Sequence, residues 1–277
     1  MIDIISERIT HVCVAGALGN LGKEVLRSLV ESQAYCVSFD TNGTTQRDEE
    51  VPGVGLITSH NDSGFIFDTL EDNLGKFMVV DCTTRSQAEA AEAFMSRGIP
   101  AIMLGTNGQG ESETEASLRK LETKFPDALL VRCPNAAAPI AWLLNRLGSL
   151  AEDGDPYAKA LTGLTATVSE SHQEAKKTTP GTARAFHAAL EAAGAEVGKI
   201  HSERNPEVQR REWMVPRAYL GGHGYHHITV TSPTGGLEIE INTRVNGRRP
   251  YAEGLRDVIL PSFIKEYLSG NRGLHAW

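Results

Sequence analysis

The stretch "VAGALGNLG", residues 14–22, places Gly16, Gly19 and Gly22 between an apolar strand-like run and a helix-like run. Glycines at such a turn let the backbone approach a pyrophosphate, and the following helix N-terminus offers amide donors. Asn20 and Leu21 belong to the same turn, and Asp40 follows the second strand-like run at the roughly 20-residue spacing of dinucleotide-binding units. We therefore predict a nicotinamide dinucleotide site. The alternative is that the glycines serve only helix packing.

Asp40 bears on which nicotinamide cofactor is used. A carboxylate at the end of the second strand can accept hydrogen bonds from both ribose hydroxyls but repels a 2′-phosphate. The sequence therefore predicts a preference for NADH over NADPH. Arg47 could soften this preference, although it is better interpreted as a loop charge.

The first half of the chain alternates strand-like and helix-like runs, which is typical of a parallel sheet with crossover helices. Two later strand ends, "VVDCTT" and "LGTNG", also carry polar groups where a doubly wound sheet meets its ligand. Ordinary turn chemistry is the alternative explanation of these residues. The predicted contacts of the nicotinamide half are Asp81, Thr83, Gly105, Thr106 and Gly108.

The pattern changes after Pro134 and indicates a second domain. "APIAWLLNRLGSL" predicts a helix that is apolar around most of its circumference, and hence buried between domains or subunits. The strand-like runs "LTATVSE", "HHITVTS" and "LEIEINTRV" follow, with "SPTGG" as a turn between the last two. We predict an α/β fold: a Rossmann doubly wound parallel sheet over residues 1–135, completed by a C-terminal helix over 250–277. An α+β substrate domain with a mostly antiparallel sheet spans 136–249.

Composition narrows the function classes. The 277 residues carry 27 basic and 35 acidic side chains, a net charge of −8, which argues against a broad surface for nucleic acid or anionic membrane. The four cysteines are widely spaced in apolar runs, as expected of reduced core thiols. We find neither a membrane-spanning run nor a leader pattern, so we expect a cytoplasmic protein.

The stretch "ESHQEAKKTTPGTA", residues 170–183, predicts a site for an anionic substrate. Gly181 and Thr182 can present backbone amides and a hydroxyl at a helix start, Lys176 adds a positive charge, and His172 suits proton transfer near neutral pH. A second basic patch, "TRVNGRR", contains Arg248 and has no acidic residue. Two cationic patches on an acidic protein suit a small substrate with two carboxylates. A solvated basic loop is the alternative.

Seven segments taken together resemble the dihydrodipicolinate reductase family over nearly the full chain. They are "VAGALGNLG", "VVDCTT", "LGTNG", "PNAAAPI", "ESHQEAKKTTPGTA", "GGHGYHH" and "NGRRPYAEG". The forms "ESHQ" and "YAEG" are more similar to the plant-type branch than to the common bacterial pattern. The resemblance implies a Rossmann domain, a substrate and oligomerisation domain, often a tetramer, and reduction of a cyclic dicarboxylate imine by NADH or NADPH.

The resemblance also implies roles for individual residues. His172 matches the proton donor, Lys176 the lysine that holds the substrate, and Gly181 with Thr182 the pair that cradles a substrate carboxylate. Arg248 matches a substrate-domain arginine, and Asn135 lies in the matched segment "PNAAAPI" on the cofactor side. The chain departs from the common family pattern at several positions, which bear on substrate and cofactor preference. They are Cys82, Ser86, Asn107, Gln173, Thr178 and Pro180.

Two further groups of residues in the second half of the chain have patterns that other sites could show. His223, His226 and His227 suggest a metal site, but adjacent strand residues point to opposite faces, so we predict no metal. "RNPEVQRREW", residues 204–213, is interpreted as a mobile surface loop or edge because its arginines alternate with acids. Two other functions stay open at this point. One is a related reductase of another cyclic imine or unsaturated amino acid, and the other is a non-catalytic cofactor-binding homologue.

Overall fold

The structure is a computed structural model, and it describes residues 11–34, 36–40, 49–51, 55–57, 77–83, 87–104, 111–133, 135–149, 157–176 and 179–276. These residues divide into two compact units. The first unit contains the described residues up to Ala136 and those from Tyr251 onwards, and the second spans Ala137–Pro250.

The first unit is built on a parallel sheet. Its strands are β1 (His11–Ala15), β2 (Cys36–Asp40), β5 (Phe77–Asp81), β6 (Ala101–Met103), β7 (Leu129–Arg132) and β13 (Gly273–Ala276), and its helices before the C-terminal segment are α1 (Asn20–Ser32), α2 (Gln87–Met95) and α3 (Glu111–Lys124). The strand order is β13-β7-β6-β5-β1-β2, and every neighbouring pair is parallel. A separate antiparallel pair joins β3 (Glu49–Val51) to β4 (Gly55–Ile57). The predicted Rossmann-type sheet is confirmed.

Strand β1 shows why this sheet is buried on both faces. Val12 and Val14 pack in one core cluster with α1 and the C-terminal helices, whereas Cys13 and Ala15 pack in a second cluster with α2 and α3. All four side chains are at most 3% exposed. A strand covered on both faces needs a continuous apolar run instead of alternation, which is what "VCVA" provides.

The C-terminal segment predicted as a helix over 250–277, kinked or restarted at Pro261, forms as several helical pieces and a strand. It consists of α7 (Arg249–Gly254), a π-helical turn (Leu255–Ile259) and α8 (Leu260–Leu268), with Pro261 in the first turn of α8. The chain then adds β13 to the sheet edge beside β7. The sequence "GLHA" has neither the β-branched residues nor the alternation of a strand, so its pairing depends on the free edge of β7.

The second unit contains a mixed sheet. Its strands are β8 (Thr165–His172), β9 (Glu196–Val197), β10 (His201–Glu203), β11 (His223–Thr231) and β12 (Glu238–Asn246), and its helices are α4 (Ala138–Ser149), α5 (Gly181–Ala192), α6 (Pro206–Arg211) and a 3₁₀ turn (Arg217–Tyr219). The long pairs β8/β11 and β11/β12 are antiparallel, as predicted. The short strands β9 and β10 pair with β8 in parallel, so the sheet is mixed.

One sequence-based expectation for the second unit is wrong in part. The predicted loop over 204–213 contains helix α6: Asn205 caps it by accepting a hydrogen bond from the Glu207 amide at 2.9 Å, and Gln209 in that helix is fully buried. Helix α4 is partly exposed in the single chain, with Trp142 62% exposed, so its burial between subunits stays a prediction. The "SPTGG" turn forms as predicted, with Gly235 N donating to the Ser232 carbonyl at 2.9 Å.

No helix in the described part of the chain combines the length and the apolar character that a membrane crossing requires.

Candidate active site

The glycine-rich turn at the end of β1 is closely packed. Gly16 has a φ of +74°, a conformation that favours glycine, and a Cβ added there would lie 3.2 Å from Thr83 N. The Gly19 amide donates to the Gly16 carbonyl oxygen at 2.9 Å. At Gly22 an added Cβ would lie 2.1 Å from the same oxygen, so helix α1 approaches the turn as closely as its backbone allows.

The first turn of α1 can bind an anion. Gly19 is the N-cap residue in an extended conformation and has no side chain to cap the helix, and Asn20 and Leu21 follow as the first helical residues. Their backbone amides form the positive end of the helix dipole. Asn20 is exposed, whereas Leu21 packs against the core and fixes the helix start.

Polar residues collect at the carboxyl ends of the neighbouring strands. Ala15 at the end of β1 pairs with Asp40 on one side and with Asp81 on the other, so the three strand ends align. Asp81 is 3% exposed and accepts a hydrogen bond from the Thr83 amide at 3.0 Å. Asn135, just after β7, is also 3% exposed.

These groups fit a nicotinamide dinucleotide. Within the described residues, Thr83 Oγ1 is buried and has no hydrogen-bond partner, so it is available to a ligand polar group. The glycine turn leaves room for a backbone approach that side chains would fill. The side chain of Asp40 lies outside the described residues, and so do Gly105, Thr106 and Gly108. Their predicted contacts stay predictions.

The second candidate site lies at the end of β8. Glu170 and His172 are two residues apart on this strand, so their side chains share a face, and His172 Nδ1 lies 2.8 Å from Glu170 Oε2. Lys176 follows in a turn closed by a hydrogen bond from its amide to the Gln173 carbonyl at 2.9 Å. The structure thus brings the predicted His172 and Lys176 into one short segment of the second unit.

Arg204 completes this cluster. Its Nη2 lies 2.6 Å from Glu170 Oε1 and its Nη1 lies 2.9 Å from Oε2, a two-point contact with a carboxylate that is fully buried. Burial opposes ionisation, but hydrogen bonds from His172, Arg204 and Ser202 outweigh it and lower the pKa of Glu170 to about 2. Glu170 is therefore an anion throughout the physiological pH range.

His172 and Lys176, the predicted proton donor and the predicted substrate-binding lysine, both have lowered pKa values. For His172 the main cause is burial, which the hydrogen bond and charge of Glu170 oppose and which Lys176 and Arg204 reinforce. For Lys176, burial lowers the pKa first, the charge of Arg204 adds to the effect, and Glu170 opposes it. Both positive forms are thus easier to deprotonate than in water, as expected at a site that binds an anion.

Two further histidines lie near this cluster but have other partners. His223 Nε2 lies 2.8 Å from Ser171 Oγ, and His226 Nδ1 lies 2.9 Å from Thr243 Oγ1. The rings of His226 and His172 meet edge to face at 5.6 Å between centroids. Burial is the first cause that lowers the pKa of His226, to about 3, which keeps that imidazole neutral.

The remaining predicted substrate residues are placed as follows. Helix α5 begins at Gly181 after the extended N-cap Pro180, and Thr182 is in its first turn. A Cβ at Gly222 would lie 2.8 Å from Arg248 Nη1, so Gly222 leaves the space that this guanidinium uses.

Sequence reasoning missed Glu170, Arg204 and Gln209 as parts of this site. The spacing of Glu170 and His172 on a predicted strand was an available signal, because residues i and i+2 share a face. Arg204 and Gln209 gave no such signal, since they lie 28 and 33 residues after Lys176 and approach it only through the β8/β10 pairing.

Comparisons with known proteins add the next observation. No family model matches the chain. "4-Hydroxy-tetrahydrodipicolinate reductase 1, chloroplastic" of Arabidopsis thaliana is 28% identical over 256 residues, covering 90% of this chain and 71% of that protein. "Probable 4-hydroxy-tetrahydrodipicolinate reductase 2, chloroplastic" of Oryza sativa subsp. japonica is 27% identical, covering 90% and 76%. "4-Hydroxy-tetrahydrodipicolinate reductase" of Rubrobacter xylanophilus is 27% identical, covering 88% of this chain and 89% of that protein.

The fold comparison agrees. A dipicolinate-bound dihydrodipicolinate reductase from Paenisporosarcina sp. TG-14 superposes with a TM-score of 0.59 at 16% identity, covering 97% of both chains. At 16% identity the superposition supports the fold alone. The similarity to a family of enzymes comes from the sequence matches. In sequence and in fold, this chain is therefore similar to dihydrodipicolinate reductases, with plant enzymes among its sequence relatives.

Proposed function

We propose that this chain is a 4-hydroxy-tetrahydrodipicolinate reductase, which produces tetrahydrodipicolinate in the diaminopimelate route to lysine. The observation that carries the proposal is the His172–Glu170–Arg204 cluster with Lys176 one turn away, on a chain whose named relatives have this activity. A buried imidazole beside cationic groups suits protonation of a small dicarboxylate ring.

One group of residues would bind the cofactor, and a second group binds and protonates the substrate. The turn with Gly16, Gly19 and Gly22 would hold the pyrophosphate of NADH or NADPH, and a bound cofactor would supply the hydride. Lys176, with the amides at Gly181 and Thr182, fixes a substrate carboxylate, and Arg248 contributes a further positive charge. His172 delivers a proton as the ring accepts the hydride, and the 4-hydroxyl group leaves as water, so one hydride and one proton convert 4-hydroxy-tetrahydrodipicolinate into tetrahydrodipicolinate and water.

We also propose that the active form is a dimer or tetramer and that the protein is cytoplasmic. Exposed apolar side chains on the second unit support the first point: Trp142 is 62% exposed, Leu237 45% and Ile239 41%. Light scattering during gel filtration would measure the mass of the assembly, and a monomer at assay concentration would contradict it.

The plant relatives are chloroplastic by name. The compartment of this chain therefore stays a prediction, which localisation of a tagged full-length chain would test.

The assay for this function mixes the protein with NADH and freshly generated 4-hydroxy-tetrahydrodipicolinate, made in situ by the preceding synthase from pyruvate and aspartate semialdehyde. We expect rapid nicotinamide oxidation and tetrahydrodipicolinate as the product. No oxidation with either NADH or NADPH, while cofactor binding is measurable, would contradict the substrate and favour another cyclic imine.

Asp40 tests the cofactor preference. Replacing Asp40 by alanine removes the carboxylate that would bind the ribose hydroxyls and repel a 2′-phosphate. We expect the ratio of kcat/KM for NADH over NADPH to fall by about tenfold or more, as loss of one charged hydrogen bond allows. An unchanged ratio in D40A would show that Asp40 does not contact the ribose.

A further inference from the structure

We propose that Glu170 and Arg204 are positioning residues that hold His172 and Lys176 in their working arrangement and make Nε2 of His172 the proton-donating atom. This inference rests on the proposed function for its catalytic meaning. Its contacts and its main test do not depend on turnover.

The guanidinium of Arg204 is linked to His172 through Glu170 and contacts the backbone of Lys176 directly. Arg204 contacts both oxygens of Glu170, at 2.6 and 2.9 Å, and Glu170 Oε2 contacts His172 Nδ1 at 2.8 Å. Arg204 Nε also donates to the backbone carbonyl of Lys176 at 3.0 Å. The planar fork of arginine can make these contacts together, whereas a lysine ammonium could not. Movement of Arg204 would therefore displace the imidazole and the lysine turn together.

Gln209 holds the same segment from α6. Its Nε2 donates to the His172 carbonyl at 2.7 Å and to the Glu203 carbonyl at 3.2 Å, and the residue is fully buried. The Asn205 cap fixes the start of α6 directly after Arg204. The backbone at His172 is thus anchored by α6 while its ring is anchored by Glu170.

The ionised Glu170 decides which imidazole nitrogen is available. A carboxylate only accepts hydrogen bonds, so His172 Nδ1 must carry a proton and donate it. Neutral His172 is then the Nδ1–H tautomer, and the second proton of the imidazolium lies on Nε2. Nε2 is therefore the atom that gives a proton to the substrate and takes one back from solvent.

Burial is the largest influence on the pKa of His172 and lowers it, and the charges around the ring modify that value. Glu170 lies on the same strand, Lys176 on the following turn and Arg204 after β10, while His223 and His226 face the ring from β11. The negative charge of Glu170 raises the pKa of His172, and the positive charges of Lys176 and Arg204 lower it. Arg204 therefore makes His172 a stronger acid, while its contact with Glu170 keeps the imidazole in place.

The test is a ¹⁵N NMR titration of His172 in the substrate-free protein, with R204Q and E170Q compared with wild type. We expect R204Q to raise the pKa of His172 and E170Q to lower it, each by about one unit, because a charge within a few ångströms is removed. The wild-type spectrum should show the Nδ1–H tautomer at high pH. R210Q is the matched control, since Arg210 lies on the neighbouring helix α6 and, in the contacts described, pairs only with the exposed Glu207. It should leave the titration unchanged.

The kinetic readout follows the same signs. His172 must be protonated to act, so kcat/KM should fall as pH rises through its pKa, and this alkaline limb should move up in R204Q and down in E170Q. E170Q should also lose about 10-fold or more in kcat, because the ring loses its charged anchor. R204K keeps the charge but loses the fork, so it should titrate nearly as wild type while KM rises through the loosened Lys176 turn.

Each outcome decides one point. Opposite pKa shifts in folded R204Q and E170Q support the positioning pair even if the wild type does not reduce the proposed substrate, in which case only the proposed function fails. Equal pKa values in wild type, R204Q and E170Q overturn the inference even if both variants are inactive. If R204Q does not fold, the KM of R204K is measured in its place. An unchanged KM in R204K then contradicts the link from Arg204 to Lys176.

Discussion

Replacing Gly22 by alanine is expected to remove nicotinamide binding almost completely. The added Cβ would lie 2.1 Å from the Gly16 carbonyl oxygen and 2.8 Å from the Gly16 carbonyl carbon. Both are backbone atoms, so no side-chain rotation can relieve the overlap, and helix α1 must move away from the turn. That movement would break the 2.9 Å hydrogen bond from Gly19 N to Gly16 O and displace the amides that bind the pyrophosphate.

We expect G22A to weaken NADH binding by about 100-fold or more, which is roughly 3 kcal/mol, and to destabilise the first unit by about 1–3 kcal/mol through overpacking. Calorimetric titration with NADH and thermal unfolding measure the two effects. Gly148 offers a matched control: it also lies within a helix, α4, but an added Cβ there meets no atom within 4 Å. G148A should bind NADH as wild type does. Wild-type affinity in G22A would contradict the close approach of α1 to the turn.

The fold could be predicted where the sequence pattern of a segment matches the way that the segment is buried in the structure. The run "VCVA" in β1 is apolar at every position because both of its faces are covered, and the glycine turn that follows it leads directly into α1. Strand β13 was not predictable, because "GLHA" forms a strand only through its partner β7. The short parallel strands β9 and β10 were missed for the same reason: each has two or three residues, too few for a period to be read.

The candidate site shows a similar division. His172 and Lys176 lie in one continuous stretch, so their chemistry could be read from spacing. Arg204 belongs to a run with alternating charge that is typical of an exposed surface, and the sequence-based interpretation as a loop was wrong. A buried ion pair between residues 34 positions apart depends on strand pairing, in this case β8 with β10, which no local pattern encodes. For the Asp40 side chain and for Gly105, Thr106 and Gly108, the sequence remains the only guide.

Replacing Lys176 by alanine should lower kcat/KM for 4-hydroxy-tetrahydrodipicolinate by about 100-fold, since a charged hydrogen bond to a carboxylate contributes about 1.5–3 kcal/mol. Most of the loss should appear in KM, because a carboxylate is bound in the substrate and in the transition state alike. The same change should raise the pKa of His172, whose value the charge of Lys176 lowers. Steady-state kinetics across pH measure both effects, and NADH binding should be unaffected.

Lys199 provides the control for K176A, because it is an exposed lysine of the same unit and its replacement changes the net charge equally. K199A should retain wild-type kinetics. If K176A instead loses kcat with an unchanged KM, Lys176 acts on the transition state and a different group binds the carboxylate, with Arg248 the next candidate. If K176A retains kcat/KM within about threefold of wild type, Lys176 does not bind the substrate, because that loss is smaller than the contribution of one neutral hydrogen bond. In that case the cationic character of the site must come from Arg204 and Arg248, and the double variant K176A/R248A should show no greater loss than R248A alone.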